Sequence, residues 1–474
     1  MKTWILGLGS ATVLGALFSL FAACSSSSDA PPGATPLEDA GDGAANPDTG
    51  GPLPEAQGDP CRGVPLPEDQ HYVPDGLCAR VVASGVSKLR SIAFSSDGDL
   101  FGQAQSGTIF RFHDEDGDGF FQKSEIKQYA ASNGNGNNVS IDEKGGYLYA
   151  GAGGGVVRFT WAPGATSGGD PEDVVVKQPT GGHGVHTVHV YDGYLYVVSS
   201  SAGNATNETP GGVYDTVRSV VKRWPLASFT PGTPFEWSTG EVFTQGLRNM
   251  NGFTRNAAGR MYGVVNGLDN QRYKDVDVHN DNPGEQVLEV AAGKKYGYPF
   301  CFTAQRVVDN GTVIAPGTQL FNQGFGVHDD GWCATNSDKP TTFVQAHSAP
   351  LDITFFDSHP KGALPEKWRG GAFVALHGSW NRSPNTGYKV IWIPFDAAGN
   401  APMPTSTETT TTFPYETVFG GGKSGEAKDG AWSWTADTYS EAPRPVGVAV
   451  SPVDGALYIS SDLSGYVYRV GLKK

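Results

Sequence analysis

Cysteine is scarce, with five in 474 residues, and none falls in a Cys-x-x-Cys-His arrangement, so the chain carries no covalent haem of its own. Basic residues are short as well: Lys and Arg number 34 against 49 Asp and Glu, a net charge of −15. An acidic surface argues against nucleic acid or anionic lipid as the main partner, and it is compatible with calcium chemistry. Long helical periodicity is scarce. Past Phe21 no segment is apolar enough to span a membrane.

The N-terminus has targeting character. Met1-Lys2 precedes an apolar run from Trp4 to Phe21, the pattern of a signal peptide over residues 1–23. Leu20-Phe21-Ala22-Ala23-Cys24 resembles a bacterial lipobox, which makes Cys24 a lipidated new N-terminus. Ordinary cleavage nearby and a retained anchor are the alternatives. By resemblance to known lipoproteins, Ser25 after the cysteine favours the outer membrane, with membrane contact through the lipid anchor only. Residues 24–60 are Ser, Ala, Gly, Pro and Asp with almost no large apolar side chain, and are expected to form a flexible tether. Residues 61–474 then form one folded domain. It keeps Cys61, Cys78, Cys301 and Cys333, an even set that in an exported protein suggests two disulfides. Sequence proximity favours Cys61–Cys78 and Cys301–Cys333 among the three possible pairings.

Gly and Pro are abundant, and short apolar-aromatic segments alternate with turn signals, which indicates an all-β fold. A Gly turn followed by a strand recurs six times, at 97–101, 145–149, 192–197, 259–263, 371–375 and 454–459. Four of these have a second strand close behind, at 107–112, 155–159, 388–392 and 465–470. No single hairpin buries both faces. Six units packed radially do, so the pattern predicts a six-bladed β-propeller, with a stacked β-sandwich array as the alternative. The widest gap, between the fourth and fifth units, contains Cys301 and Cys333 and predicts an insertion there.

Several segments carry chemistry. Residues 114–125 match the twelve-residue calcium loop of EF-hands: carboxylates at Asp114, Asp116 and Asp118, Gly119 for the turn, the Phe120 carbonyl, and Glu125 to close the site. The other reading is an acidic hairpin loop that binds nothing. Gly181-Gly182-His183 precedes a strand that also carries His186 and His189. Alternation along that strand keeps the three histidines from converging on a metal, whereas a loop histidine at a channel mouth can act as a general base. Gly246-Leu247-Arg248-Asn249, His377 to Arg382, and Arg444-Pro445-Val446-Gly447 each adjoin a repeat strand. Their three arginines suit an anion with several carboxylates, or else ordinary blade-edge ion pairs.

These segments, with Lys295-Tyr296-Gly297-Tyr298-Pro299 between them, occur in one order that resembles the glucose/sorbosone dehydrogenase family. Its members are soluble quinoproteins that use pyrroloquinoline quinone (PQQ) and calcium. Pro74 to Val81 resembles the sorbosone dehydrogenase branch. The resemblance extends over nearly all of residues 61–474 and implies a six-bladed propeller. It implies His183 as the catalytic base, and Arg248, Asn249, Arg382 and Arg444 as PQQ-binding residues. It also implies Gly267 and Leu268 as carbonyl ligands of the calcium beside PQQ, and Glu285 and Tyr296 at a second, structural calcium.

The sequence departs from the family pattern at several points. Met250 replaces a Pro after Arg-Asn, His186 an Arg, and Tyr298 a Trp; the stretch 133–138 lacks the Gln of glucose-oxidising members. The expected function is a PQQ- and calcium-dependent dehydrogenase that oxidises a sugar or polyol and passes electrons to an external acceptor. The alternatives are a non-catalytic calcium-binding propeller at the cell surface and a lactonase-type hydrolase.

Overall fold

Each sequence repeat folds as the antiparallel core of one sheet, as the turn signals require. In the first, Leu100–Ala104 pairs with Thr108–Phe112 across a turn at Gly107, whose φ of +92° suits glycine. The computed structural model describes residues 61–473 apart from 62, 67–70, 135–137, 185, 358, 361 and 422–442. The expected signal peptide and tether lie outside the described residues.

Six sheets of four or five strands make up the blades. Their innermost strands, in chain order, are Leu89–Phe94, Val139–Asp142, Val188–Tyr191, Asn249–Arg255, Pro350–Phe355 and Pro445–Val450. The fold is therefore the six-bladed β-propeller that the repeats predicted. The ring closes through Leu77–Ala83, which pairs antiparallel with Val467–Leu472 and so adds an early strand to the last blade.

Apolar clusters fill the wedges between blades. Tyr262, Val264 and Val287 of the fourth blade pack on Ile353, Val374 and Ile391 of the fifth. At the closing seam Val82, Tyr458 and Val467 pack on Leu89, Leu100 and Phe112. Polar contacts near the axis stitch one inner strand to the next. Val139 donates its N–H to Ser91 Oγ (3.0 Å), Val188 to Asn138 Oδ1 (3.1 Å) and Val448 to Asp352 Oδ2 (3.0 Å), while the Thr187 hydroxyl donates to the Asn251 carbonyl.

The predicted insertion lies inside the fourth blade, between Glu285–Glu289 and Thr342–Val344. It contains two hairpins, the helix Asp330–Asn336 and the Cys301–Cys333 disulfide. Cys61–Cys78 is the other disulfide, so both expected pairings are present. In an antiparallel blade the start of the inner strand lies beside the end of the second strand. The segments before residues 188, 249 and 445 therefore share one end of the propeller with those after 266, 376 and 461. That end gathers every segment tied above to PQQ.

Candidate active site

Two clusters of charged and polar groups occupy this end. The first is centred on His183 and Arg248, both buried. His183 donates its backbone N–H to the Ser201 carbonyl (3.0 Å), and its Nδ1 lies 2.9 Å from Ser201 Oγ. Its Nε2 is buried and has no hydrogen-bond partner among the described residues. Burial, reinforced by the nearby Arg248 charge, pushes the His183 pKa down to about 3, so the ring is neutral near pH 7.

Arg248 is held on one edge. Nε donates to the Asn204 carbonyl (3.1 Å), and Nη2 donates to Asn204 Oδ1 (3.0 Å) and Asp269 Oδ2 (2.7 Å). Nη1 makes no hydrogen bond to the described residues, which leaves one edge of an oriented guanidinium for a ligand. Asp269 also accepts from Asn381 Nδ2 (2.9 Å), which brings the segment after 376 onto this cluster. Asn249 is buried and accepts from Asn251 Nδ2 (3.2 Å).

The second cluster is centred on Asp462, which pairs with Arg90 Nη1 and lies 3.0 Å from His377 Nε2. Burial and the Arg444 charge push His377 down to about 4. Burial alone would raise Asp462, but His377 and Arg90 outweigh it and hold the carboxyl well below its ordinary value. Arg444 thus belongs to this cluster, and its backbone N–H donates to Ser461 Oγ (3.1 Å). Asn381 and His377 are four positions apart, so one short segment joins the two clusters.

Arg382 is placed differently. Its guanidinium donates to the Asn280 carbonyl (3.0 Å) and the Pro384 carbonyl (2.6 Å) and pairs with Asp281 (3.3 Å), clamping 280–281 to 382–384. Gly267 and Leu268 follow the second strand of the fourth blade, and neither carbonyl accepts a hydrogen bond from the described residues. Both carbonyls are thus available to a cation. Glu285 is buried and accepts the Gly267 N–H, and burial pushes its pKa up to about 8. The Tyr296 hydroxyl donates to the Glu289 carbonyl (2.6 Å), so the structure does not join it to the Glu285 carboxylate.

The acidic loop lies apart from these clusters, between the third and fourth strands of the first blade. Carboxylate oxygens of Asp114, Asp116 and Asp118 come within 4.8 Å of one another. Each accepts a loop N–H: Asp114 from Gly119 (3.0 Å), Asp116 from Asp118 (3.1 Å) and Asp118 from Phe120 (2.7 Å). Glu125 accepts from Glu115 (2.7 Å) and Gln122 (2.8 Å). Asp114 Oδ1 is buried without a hydrogen-bond partner among the described residues.

The sequence reading missed Ser201, Asn204, Asp269, Asp462 and Arg90. Only Asp269 carried a usable signal, standing directly after Gly267-Leu268.

Comparisons with known proteins bear on the family and the fold. A family model described as TrAA12-like matches residues 71–473. The pyrroloquinoline quinone-dependent pyranose dehydrogenase of Coprinopsis cinerea is 27% identical over 436 residues, 86% of this chain and 56% of that protein. The chain thus spans little more than half the length of that relative. A pyrroloquinoline quinone-dependent sugar dehydrogenase of Hypocrea jecorina is 26% identical over 421 residues, 83% of this chain and 87% of its own. Among solved structures, the holo form of the pyranose dehydrogenase PQQ domain from Coprinopsis cinerea has a TM-score of 0.72 at 26% identity, covering 87% of this chain and 99% of that one. The calcium structure of a Trichoderma reesei carbohydrate-active enzyme of family AA12 has a TM-score of 0.70 at 22% identity, covering 85% and 98%, a likeness of fold.

Proposed function

Because the chain belongs to the TrAA12-like family, we propose that it is a PQQ-dependent dehydrogenase that oxidises a sugar, of pyranose or sorbosone type, at a carbon bearing a hydroxyl or carbonyl group. One observation carries the reading: a buried neutral histidine with an unpartnered Nε2, beside an arginine held on one edge and open on the other. A tricarboxylate quinone needs the second feature, and removal of a hydroxyl proton needs the first. When bound, PQQ supplies an ortho-quinone that accepts hydride, and calcium polarises its carbonyl.

The chain's own residues have separable tasks in this reading. Arg248 Nη1 and the Arg444 guanidinium bind carboxylates, with Asn249 beside them. The Gly267 and Leu268 carbonyls hold calcium next to the cofactor. His183 accepts the substrate hydroxyl proton at Nε2; burial keeps the ring neutral until substrate arrives. Arg382 contributes by fixing the loops around residues 280 and 382. Asp114, Asp116, Asp118, Phe120 and Glu125 hold a structural calcium away from the chemistry, and Glu285 and Tyr296 stand as a weaker second position. Electrons leave to an external acceptor. The two disulfides support export, and lipid anchoring through Cys24 completes the proposed location.

The test is reconstitution of the chain from residue 61 onward with PQQ and calcium, followed by dye reduction over a panel of aldoses, ketoses and polyols. Stoichiometric binding and turnover are expected, with His183→Ala abolishing turnover and retaining the cofactor. Absence of PQQ binding at micromolar concentration would overturn the reading and leave a calcium-binding propeller.

A further inference from the structure

Ser201 lies at the end of the second strand of the third blade, just after Tyr194–Ser199, and it is fully buried. Its main chain holds both key residues of the first cluster. Its carbonyl accepts the His183 N–H (3.0 Å), and its own N–H donates to the Arg248 carbonyl (2.8 Å). The hydroxyl has two neighbours, His183 Nδ1 at 2.9 Å and the Gly203 carbonyl at 2.8 Å.

A hydroxyl has one proton, and a carbonyl can only accept. The Ser201 proton must therefore point at Gly203. Were it turned to His183 instead, two oxygens 2.8 Å apart would face each other lone pair to lone pair. With its proton committed, Ser201 Oγ can only accept from Nδ1. A neutral imidazole has a single N–H, so placing it on Nδ1 leaves Nε2 as a bare lone pair. Nε2 is the ring atom that is buried without a partner.

We infer that Ser201 is the positioning residue that fixes His183 as its Nδ1–H tautomer, so that Nε2 is ready to accept the proton of a sugar hydroxyl. This rests on the dehydrogenase reading for its use in catalysis, but not for its geometry. Imidazole in water favours the opposite tautomer, with the proton on Nε2, so the site needs a dedicated acceptor to reverse that preference. A hydroxyl does so without adding charge. It leaves the base weaker than a carboxylate partner would, which suits a ring held neutral beside an arginine. The same residue couples the base to the Arg248 strand, so both are placed by one short segment.

Ser201→Ala removes the acceptor and leaves both main-chain bonds in place; Ser201→Thr keeps a hydroxyl. The tautomer is read in cofactor-free protein labelled with 15N-histidine, by long-range proton–nitrogen correlation, with His183→Gln assigning the signals. The wild-type chain is expected to show a protonated Nδ1 and a bare Nε2, and Ser201→Ala to shift the proton to Nε2. In the reconstituted enzyme, Ser201→Ala should lower kcat by about 10- to 100-fold while KM stays within about twofold and PQQ affinity is retained. Ser201→Thr should restore both the tautomer and most of kcat. A wild-type ring protonated on Nε2 would overturn the inference, as would a Ser201→Ala enzyme with kcat within about twofold of wild type. If no sugar is oxidised by the wild-type chain, the dehydrogenase reading falls while the tautomer spectrum still decides the role of Ser201.

Discussion

Removing calcium should loosen the seam that closes the ring. The acidic loop is pinned across that seam: Phe121 donates its N–H to the Val82 carbonyl (2.7 Å). Phe120 packs with Leu77 and Val81, and Phe121 with Val82, Leu100 and Phe112. These contacts tie the first blade to the strand Leu77–Ala83 that completes the sixth. Opposing them are the three aspartates within 4.8 Å. Burial, with Asp116 and Asp114 adding to it, raises Asp118 from its ordinary value, and burial does the same to Glu125. A carboxyl raised in the folded state contributes stability below its unfolded pKa and loses it as pH rises through the folded value. The cation-free loop therefore weakens as pH rises through the carboxylate range, and calcium should matter most above it. At calcium 100 to 1,000 times its dissociation constant, binding to the folded state alone is worth about 2.7–4.1 kcal/mol. Roughly 400 residues at about 2.1 cal/mol/K each give an unfolding entropy near 0.8 kcal/mol/K, so Tm should rise by about 3–5 °C. Calorimetry of PQQ-free protein at pH 7, in calcium and in chelator, reads this directly. Asp116→Asn should abolish most of the shift. A calcium-induced shift below about 1 °C, or one that survives Asp116→Asn unchanged, would refute the reasoning.

Stability should rise from acid pH and level off near neutrality. His183, His186, His189 and His377 are all depressed by burial, to about 3 or 4, so their contribution is complete above the unfolded pKa of about 6.5 and is lost as pH falls. Asp352, raised by burial to about 7, works against this: its contribution is lost between its unfolded pKa of about 3.9 and about 7, so denaturant midpoints should rise towards neutrality under the four histidines and level off above it. Gly252→Ala should cost about 1–3 kcal/mol in a urea titration, because an added Cβ would meet Asp352 Oδ1 at 2.5 Å, Asp352 Cα at 2.7 Å and the Leu351 carbonyl at 2.8 Å. Arg248→Ala should weaken PQQ binding by at least about tenfold, one charge-assisted bond. Arg382→Ala should lower Tm more than cofactor affinity, since its guanidinium is engaged with Asn280, Pro384 and Asp281.

The blades were legible because each repeat states its own hairpin locally: a glycine turn and alternating apolar residues. The ring order follows, since six such sheets have few other ways to cover their faces. The fourth blade was the exception in outline. Its third and fourth strands, Glu285–Glu289 and Thr342–Val344, are separated by the disulfide-bearing insertion, so spacing alone could not assign them. Within the site, His183 and Arg248 stood out because they occupy glycine-marked entries to inner strands. Asn204, Asp269 and Asp462 did not, because each meets its partner across folded strands: Asn204 reaches Arg248 from the neighbouring blade, Asp269 from the far side of a hairpin, and Asp462 reaches Arg90 through the closed ring. Asp269 is 21 positions from Arg248, and Asp462 is 372 from Arg90. No local pattern announces such pairs. Arg382 is the opposite case: its motif suggested a cofactor ligand, and its guanidinium holds the Asn280 and Pro384 carbonyls and Asp281.

The two missed aspartates alter how the cationic end works. Three bare arginines on one face would repel each other and attract any anion. Here Asp269 pairs with Arg248, and Asp462 with Arg90 under the influence of Arg444. The pairs orient the Arg248 and Arg90 guanidinia and offset two of the three charges, so what remains for a ligand is geometry more than net field. That selects for an anion whose carboxylates are fixed in a plane over one that is merely charged. The rest of the chain supports the same selection. With a net charge of −15, its surface repels anions at long range. On the proposed function, a planar tricarboxylate that reached both clusters would gain from each, where a small anion would gain from one at most; the single segment from His377 to Asn381 touches both.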